Sequence, residues 1–250
     1  AASLGVACPT VPAGAAVGLR PVAELSDRVD SLVATGFGRI KVKIQPGHDV
    51  GPIEAIVDRH PDLDLHVDAN GAYGPDHLHV FGRLSDLGVS VIEQPFAPAD
   101  LASAAALVGR LDPDRSLVFA DEAVADLADA RRLLAANALG GIAIKPPRVG
   151  GLRSAVELLE WCVANGVAAC AGGMLESGLG RHALVAFAAL PGCTITGDLS
   201  PARRWLAADP WPDVGMIETS ILVPTGPGVG PEPDLETLDR FTIRQAVLRS

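Results

Sequence analysis

Five ionisable residues punctuate otherwise apolar stretches of this chain: Lys43, Asp68, Glu93, Asp121 and Lys145, spaced 24 to 28 residues apart. Each stands at or beside the end of a short apolar run: RIKVKI at 39–44, DLHVD at 64–68, SVIE at 90–93, LVFAD at 117–121 and IAIK at 142–145. An isolated aspartate after such a run is ordinarily a helix cap or a loop charge, so Asp68 or Asp121 alone would indicate no chemistry. Lysines among apolar residues are costly to bury unless opposing charges offset them. Three carboxylates and two lysines gathered in one place supply that offset, and the set of five reads as one functional site.

Asp68, Glu93 and Asp121 are hard oxygen ligands with no Cys or His alongside, a donor set suited to Mg²⁺ with positions left for water or substrate oxygens. Mn²⁺ could take its place. Asn70, Gln94 and Glu122 follow the three carboxylates closely and are candidates to orient them or to pair with a lysine. Lys41 and Lys43 lie two apart, so on a strand they leave the same face. Two ammonium groups held together lower the pKa of at least one, and an amine tuned toward neutrality can abstract a proton. Lys145 arrives on the far side of the carboxylates, with the substrate between it and Lys43. The glycine-rich stretch GGMLESG at 172–178 lets backbone approach a ligand, making Gly172, Gly173 and Met174 a candidate substrate wall. The histidines have no metal-ligand spacing. His60, His66, His77, His79 and His182 read as structural, and His48 as a residue at the pocket mouth.

The elements that must carry these residues follow from periodicity. Eight apolar runs bounded by turn residues recur at 15–19, 39–44, 64–68, 90–93, 117–121, 142–145, 167–171 and 194–198. Between them lie stretches with helical spacing, such as Leu25, Val29, Leu32 and Val33, or Leu152, Val156, Leu159 and Val163. Alternating strand and helix means a parallel sheet, and eight beats without a glycine fingerprint after the first strand favour a closed α/β barrel over an open dinucleotide-binding sheet. In such a barrel the C-terminal strand ends converge on one rim, where the five charges would face one another. A solenoid would show repeats that resemble one another, and these do not. From 199 onward the beat gives way to a Pro- and Gly-rich tail with one β-like segment near 217–223, expected to wrap the barrel.

Composition narrows the classes. The 250 residues are 48% hydrophobic and carry a formal charge of −10, which disfavours nucleic acid and anionic membrane as partners. Cys8, Cys162, Cys170 and Cys193 form no CxxC pair, against a zinc site or disulfide scaffold and in keeping with a reducing cytoplasm. The uncharged start is interrupted by Pro9, Pro12, Gly5, Gly14 and Gly18 with no basic segment before it, so it reads as a linker rather than a membrane span. The absence of an initiator Met suggests a processed or truncated piece.

Six motifs, KVKI at 41–44, DANGAY at 68–73, IEQP at 92–95, ADE at 120–122, IKPPRVGG at 144–151 and GGMLESGLGR at 172–181, carry a family resemblance. Together they resemble the barrel of the o-succinylbenzoate synthase and N-succinylamino acid racemase group within the enolase superfamily. The resemblance implies a (β/α)7β TIM-type barrel over 13–198, with 1–12 a linker from a missing N-terminal capping domain and 199–250 a C-terminal wrap. It implies that Asp68, Glu93 and Asp121 bind Mg²⁺, that Lys43 is the acid/base and that Lys145 stands opposite. The activity implied is a lyase of menaquinone biosynthesis, removing an α-proton and then water through an enediolate. The alternatives are racemisation of N-acyl or N-succinylamino acids by the two lysines, or a catalytically silent truncated barrel. The substrate implied is a small carboxylate with a succinyl group, and association into homo-oligomers is common in such barrels. Pro147, His48 and Ala16 depart from the group's usual glycine, tryptophan and serine, which bears on substrate preference.

Overall fold

The computed structural model describes residues 8–246 apart from 227 and 229. Its centre is a seven-stranded parallel sheet in chain order: β2 (Gly14–Val17), β3 (Arg39–Lys43), β4 (Asp64–Asp68), β5 (Val89–Glu93), β6 (Leu117–Ala120), β7 (Gly141–Ile144) and β8 (Ala168–Ala171). The helices α1 (Val22–Ala34), α2 (Val50–Val57), α3 (Leu78–Asp86), α4 (Leu101–Val108), α5 (Leu127–Ala135), α6 (Leu152–Ala164) and α7 (Gly178–Ala188) each follow a strand. Several start where an aspartate accepts a hydrogen bond from the first turn: Asp49 from Val50, Asp100 from Ser103, and Asp126 from Ala128 and Asp129.

The eighth expected strand, 194–198, is not a strand. It closes the ring as irregular backbone: Ile195 and Asp198 N–H donate to Ala169 and Ala171 carbonyls at 3.2 Å, and Gly14 N–H donates to Leu199 at 3.0 Å. Close approach is the reason. A Cβ on Gly197 would sit 2.1 Å from the Ala171 carbonyl oxygen, and one on Gly14 2.2 Å from that of Gly197. Only glycine fits a passage this tight, and a regular ladder does not form there. The result is a barrel of seven βα units closed by a non-strand segment in the place of the expected eighth strand.

Alternation on the strands sorts the interior. Ile40 and Val42 of β3 point outward into the main core beneath the helices, while Arg39, Lys41 and Lys43 point inward. Val91, Phe119, Ala143 and Cys170 form a separate apolar cluster inside the barrel on the β5–β8 side. One half of the interior is therefore hydrocarbon and the other charged. Helix α1 buries Leu25, Val29 and Leu32 as its spacing predicts. Helix α6 buries Leu159 and packs Leu152 and Val156 partly against the core, with Ala155, Leu158 and Cys162 buried beside them, but leaves Val163 62% exposed.

Residues 1–7 of the expected linker lie outside the described residues, and its end, Thr10–Pro12 (β1), pairs antiparallel with β10 (Ser220–Leu222). Strand β9 (Met216–Ile217) completes this small sheet by a turn through Glu218 at φ 50°, so the β-like stretch near 217–223 is a short hairpin. A last helix, α8 (Leu235–Phe241), lies in the tail. Among the described residues no helix is long and apolar enough to cross a membrane.

Candidate active site

The residues singled out by spacing meet at the C-terminal rim. Lys43, Asp68 and Glu93 are the last residues of β3, β4 and β5, and Asp121 and Lys145 directly follow β6 and β7. Asp68, Glu93 and Asp121 are buried, and one oxygen from each lies within 4.8 Å of the others. Around an octahedral Mg²⁺ with ligands at about 2.1 Å, adjacent ligand oxygens lie about 3 Å apart and opposite ones about 4 Å, so the three side chains would draw in by up to about 2 Å around the ion. The donors are all carboxylate oxygens, which fits a hard divalent cation.

Electrostatics favour a cation there. Burial, then Asp68, Asp198 and Asp121, push the Glu93 carboxyl up to about 7, against the pull of the Lys41 ammonium. Lys41 Nζ bridges both Glu93 oxygens at 2.8 Å, reaches Asp198 at 2.6 Å and approaches Asp68 at 3.4 Å. Burial opposes its charge, but Asp198, Glu93 and Asp68 hold it well above the ordinary lysine range. Lys41 is therefore not the lowered member of the Lys41 and Lys43 pair, because three carboxylates outweigh the one opposing cation, Arg39. Asp68, despite burial, is held below the usual carboxylate range by Lys41, Lys43 and the Asn70 N–H.

The two lysines stand across the ring. β3 and β7 are four steps apart through β4, β5 and β6, and four steps apart the other way through β8, the closing segment and β2. Lys43 Nζ donates to Asp68 at 2.7 Å and to Asn70 Oδ1, with a third of its side chain exposed. Lys145 Nζ donates to Asp121 at 2.6 Å and is buried. Both line a cavity of about 390 Å³ with Lys41, Asp68, Gly173 and Met174.

The remaining candidates divide by task. Asn70, at φ 44°, turns its amide to Glu122 Oε1 at 2.5 Å and its carbonyl to Lys43. Gln94, at φ 41°, accepts the Asp121 and Ala123 N–H groups at 3.0 Å and donates to the Phe96 carbonyl at 2.8 Å, propping the Asp121 loop. Gly172 borders Lys145 directly: a Cβ there would lie 2.6 Å from Lys145 Cγ. A Cβ on Gly173 would lie 2.2 Å from the Asp198 carbonyl oxygen, so only glycine fits there. His48 is not among the residues lining the cavity.

Sequence reasoning missed three participants. Asp198 accepts Lys41 and, at 2.5 Å, Arg39, which despite its burial hold it well below the carboxylate range. It ends the eighth apolar run, the position that drew notice in the other strands. Arg148, inside the IKPPRVGG motif, donates to Asp121 opposite Lys145. Arg39, two residues before Lys41 on the same face, was the third signal.

The sequence matches the Enolase C-terminal domain-like family over residues 24–237. It is 37% identical over 244 residues to an N-succinylamino acid racemase of an Amycolatopsis species, and 35% identical over 248 residues to an o-succinylbenzoate synthase of Bacillus subtilis. These alignments cover 97% and 99% of this chain but 66% of each relative, just under two thirds of their length. A solved enolase-superfamily structure from Listeria innocua superposes with a TM-score of 0.91 at 31% identity, covering 97% of this chain and 65% of that one. The comparisons and the rim geometry agree: this chain belongs to the Enolase C-terminal domain-like family.

Proposed function

We propose that the chain is the catalytic barrel of an o-succinylbenzoate synthase-like lyase acting in menaquinone biosynthesis. The observation that supports this best is the pair of lysines on opposite strands of the ring, each bonded to one of the buried carboxylates. Asp68, Glu93 and Asp121 would hold Mg²⁺, which when bound supplies a Lewis acid that polarises the substrate carboxylate and acidifies the α-proton. Lys43, reaching the cavity from β3, takes that proton as a neutral amine and becomes an ammonium. It then returns the proton to the departing β-hydroxyl, which leaves as water as the new double bond forms. Lys145 stays a fixed cation on the far face, beside the developing negative charge.

A second reading, racemisation of an N-succinylamino acid, has its own support in the 37% identity to a racemase. Here Lys43 and Lys145 exchange protons on opposite faces of one α-carbon. The experiment is a paired assay on the full-length protein with Mg²⁺: dehydration to o-succinylbenzoate, and solvent deuterium uptake by both enantiomers of an N-succinylamino acid. Lys43→Ala and Asp68→Asn should abolish turnover in whichever assay is positive. Normal turnover in either variant would overturn the assignment of the site, and failure of both assays in the parent would overturn both readings.

A further inference from the structure

Besides the lysines and the carboxylates Asp68 and Asp198, the cavity lining holds four arginines. Three are Arg20, in the loop after β2; Arg28, on α1; and Arg204, in the short helical turn Ala202–Arg204. Among the described residues none of these three forms an ion pair, in a chain whose 30 acidic residues outnumber its 20 lysines and arginines. Arg181 also lines the cavity but is engaged, with Glu176 at 2.7 Å and the Asp198 and Met174 carbonyls at 2.8 and 2.7 Å.

Arg204 is the anchored member. Nη1 donates to Ser200 Oγ at 3.0 Å, Nη2 to the Ala16 carbonyl at 3.3 Å, and the guanidinium lies 5.3 Å from the Phe37 ring centroid. Its Nε is buried and has no partner. Burial, with Arg28 and Arg181 nearby, pulls the guanidinium down to about 10, against a smaller opposing pull from Asp198, which is already engaged by Lys41 and Arg39. A planar guanidinium with free donors, steadied on an aromatic ring, matches the geometry of a carboxylate.

We propose that Arg204, with Arg28 and Arg20 beside it, forms an anion subsite that receives a second carboxylate of the substrate. The site then selects dianions: one carboxylate at the lysine and acidic-triad end, the other on the arginines. The first half of that statement rests on the function proposed above, whereas the subsite rests on the arginines alone.

The test compares N-succinylglycine with N-butyrylglycine, which differ only in a terminal carboxylate against a methyl group, by titration calorimetry with Mg²⁺ present. The parent protein should bind the succinyl compound at least about tenfold more tightly. Arg204→Gln should bring the two affinities together by weakening the succinyl compound alone. Arg28→Gln removes a side chain that makes no hydrogen bond among the described residues, so folding is not at issue. It should cut the preference about threefold and flatten its salt dependence. A preference unchanged in Arg204→Gln and Arg28→Gln, no preference in the parent, or no binding of either compound would overturn the subsite. Deuterium uptake at the α-carbon of either compound is read in parallel. Its absence alongside an intact, Arg204-dependent preference would sink the proposed chemistry while leaving the subsite standing.

Discussion

Replacing Arg39 with Met tests whether the charged half of the barrel interior holds the fold together. Arg39 is among the largest fully buried side chains, donating to Asp198 at 2.5 Å and, through Nε and Nη2, meeting His66 Nδ1 at 2.9 and 2.7 Å. Met fills much of the same volume, so the loss is electrostatic. Asp198 keeps Lys41 at 2.6 Å, which places the cost of breaking this buried pair near the lower end of its usual range, about 3 kcal/mol. The unpartnered His66 nitrogen adds about 1 kcal/mol. A loss of about 4 kcal/mol is a large part of a typical domain stability of about 5–15 kcal/mol. Urea unfolding followed by tryptophan fluorescence measures it. Asp198→Asn and the double variant complete a cycle, in which the double loss should fall short of the sum by at least about 1.5 kcal/mol. An Arg39→Met protein within about 1 kcal/mol of the parent, or strictly additive losses, would refute this account.

Three further outcomes are expected. Mg²⁺ should raise the melting temperature of the parent, since a ligand of the folded state stabilises it by mass action, and Glu93→Gln should abolish the rise; an equal rise in both would remove Glu93 from the metal site. Gly172→Ala would thrust a Cβ to 2.6 Å from Lys145 Cγ, so kcat should fall about a hundredfold with a stability loss of about 1–3 kcal/mol, and unchanged kcat would show that Lys145 need not lie where it does. His66, kept neutral by burial and by Arg39, titrates near 4 when folded against 6.5 when unfolded. Its contribution is therefore complete above pH 6.5 and is lost as the unfolded chain gains a proton between 6.5 and 4, about 3 kcal/mol in all. His66→Gln should flatten the stability profile over that window, and an unaltered slope would count against a neutral buried imidazole.

The periodic features were legible because they repeat. Seven apolar runs became strands, and the charges ending them converged because parallel strands in a closed ring share one rim. The eighth run was misread because TITGD has strand composition, while its path is decided by how closely Gly197 passes the Ala171 carbonyl, a tertiary fact. Lys41 shows a similar limit. Its spacing from Lys43 was visible, but the carboxylates that fix its charge come from β4, β5 and the closing segment. Asp198 and Arg39 had the right positions and escaped notice because neither stood alone in an apolar run flanked by a known partner. Arg28 and Arg204 lie far apart in sequence, and only the fold brings them to one cavity.

The irregular closure gives the barrel a seam. Every other neighbouring pair of strands is stitched by a ladder, whereas this joint rests on a few hydrogen bonds at 3.0–3.2 Å from Ile195, Asp198 and Gly14. Thermal opening of the cylinder should begin along that line, before any ladder parts. Asp198 sits on the seam itself and grips Lys41 and Arg39 of β3, one strand beyond β2, so the same residue that neutralises the interior also acts as its clasp.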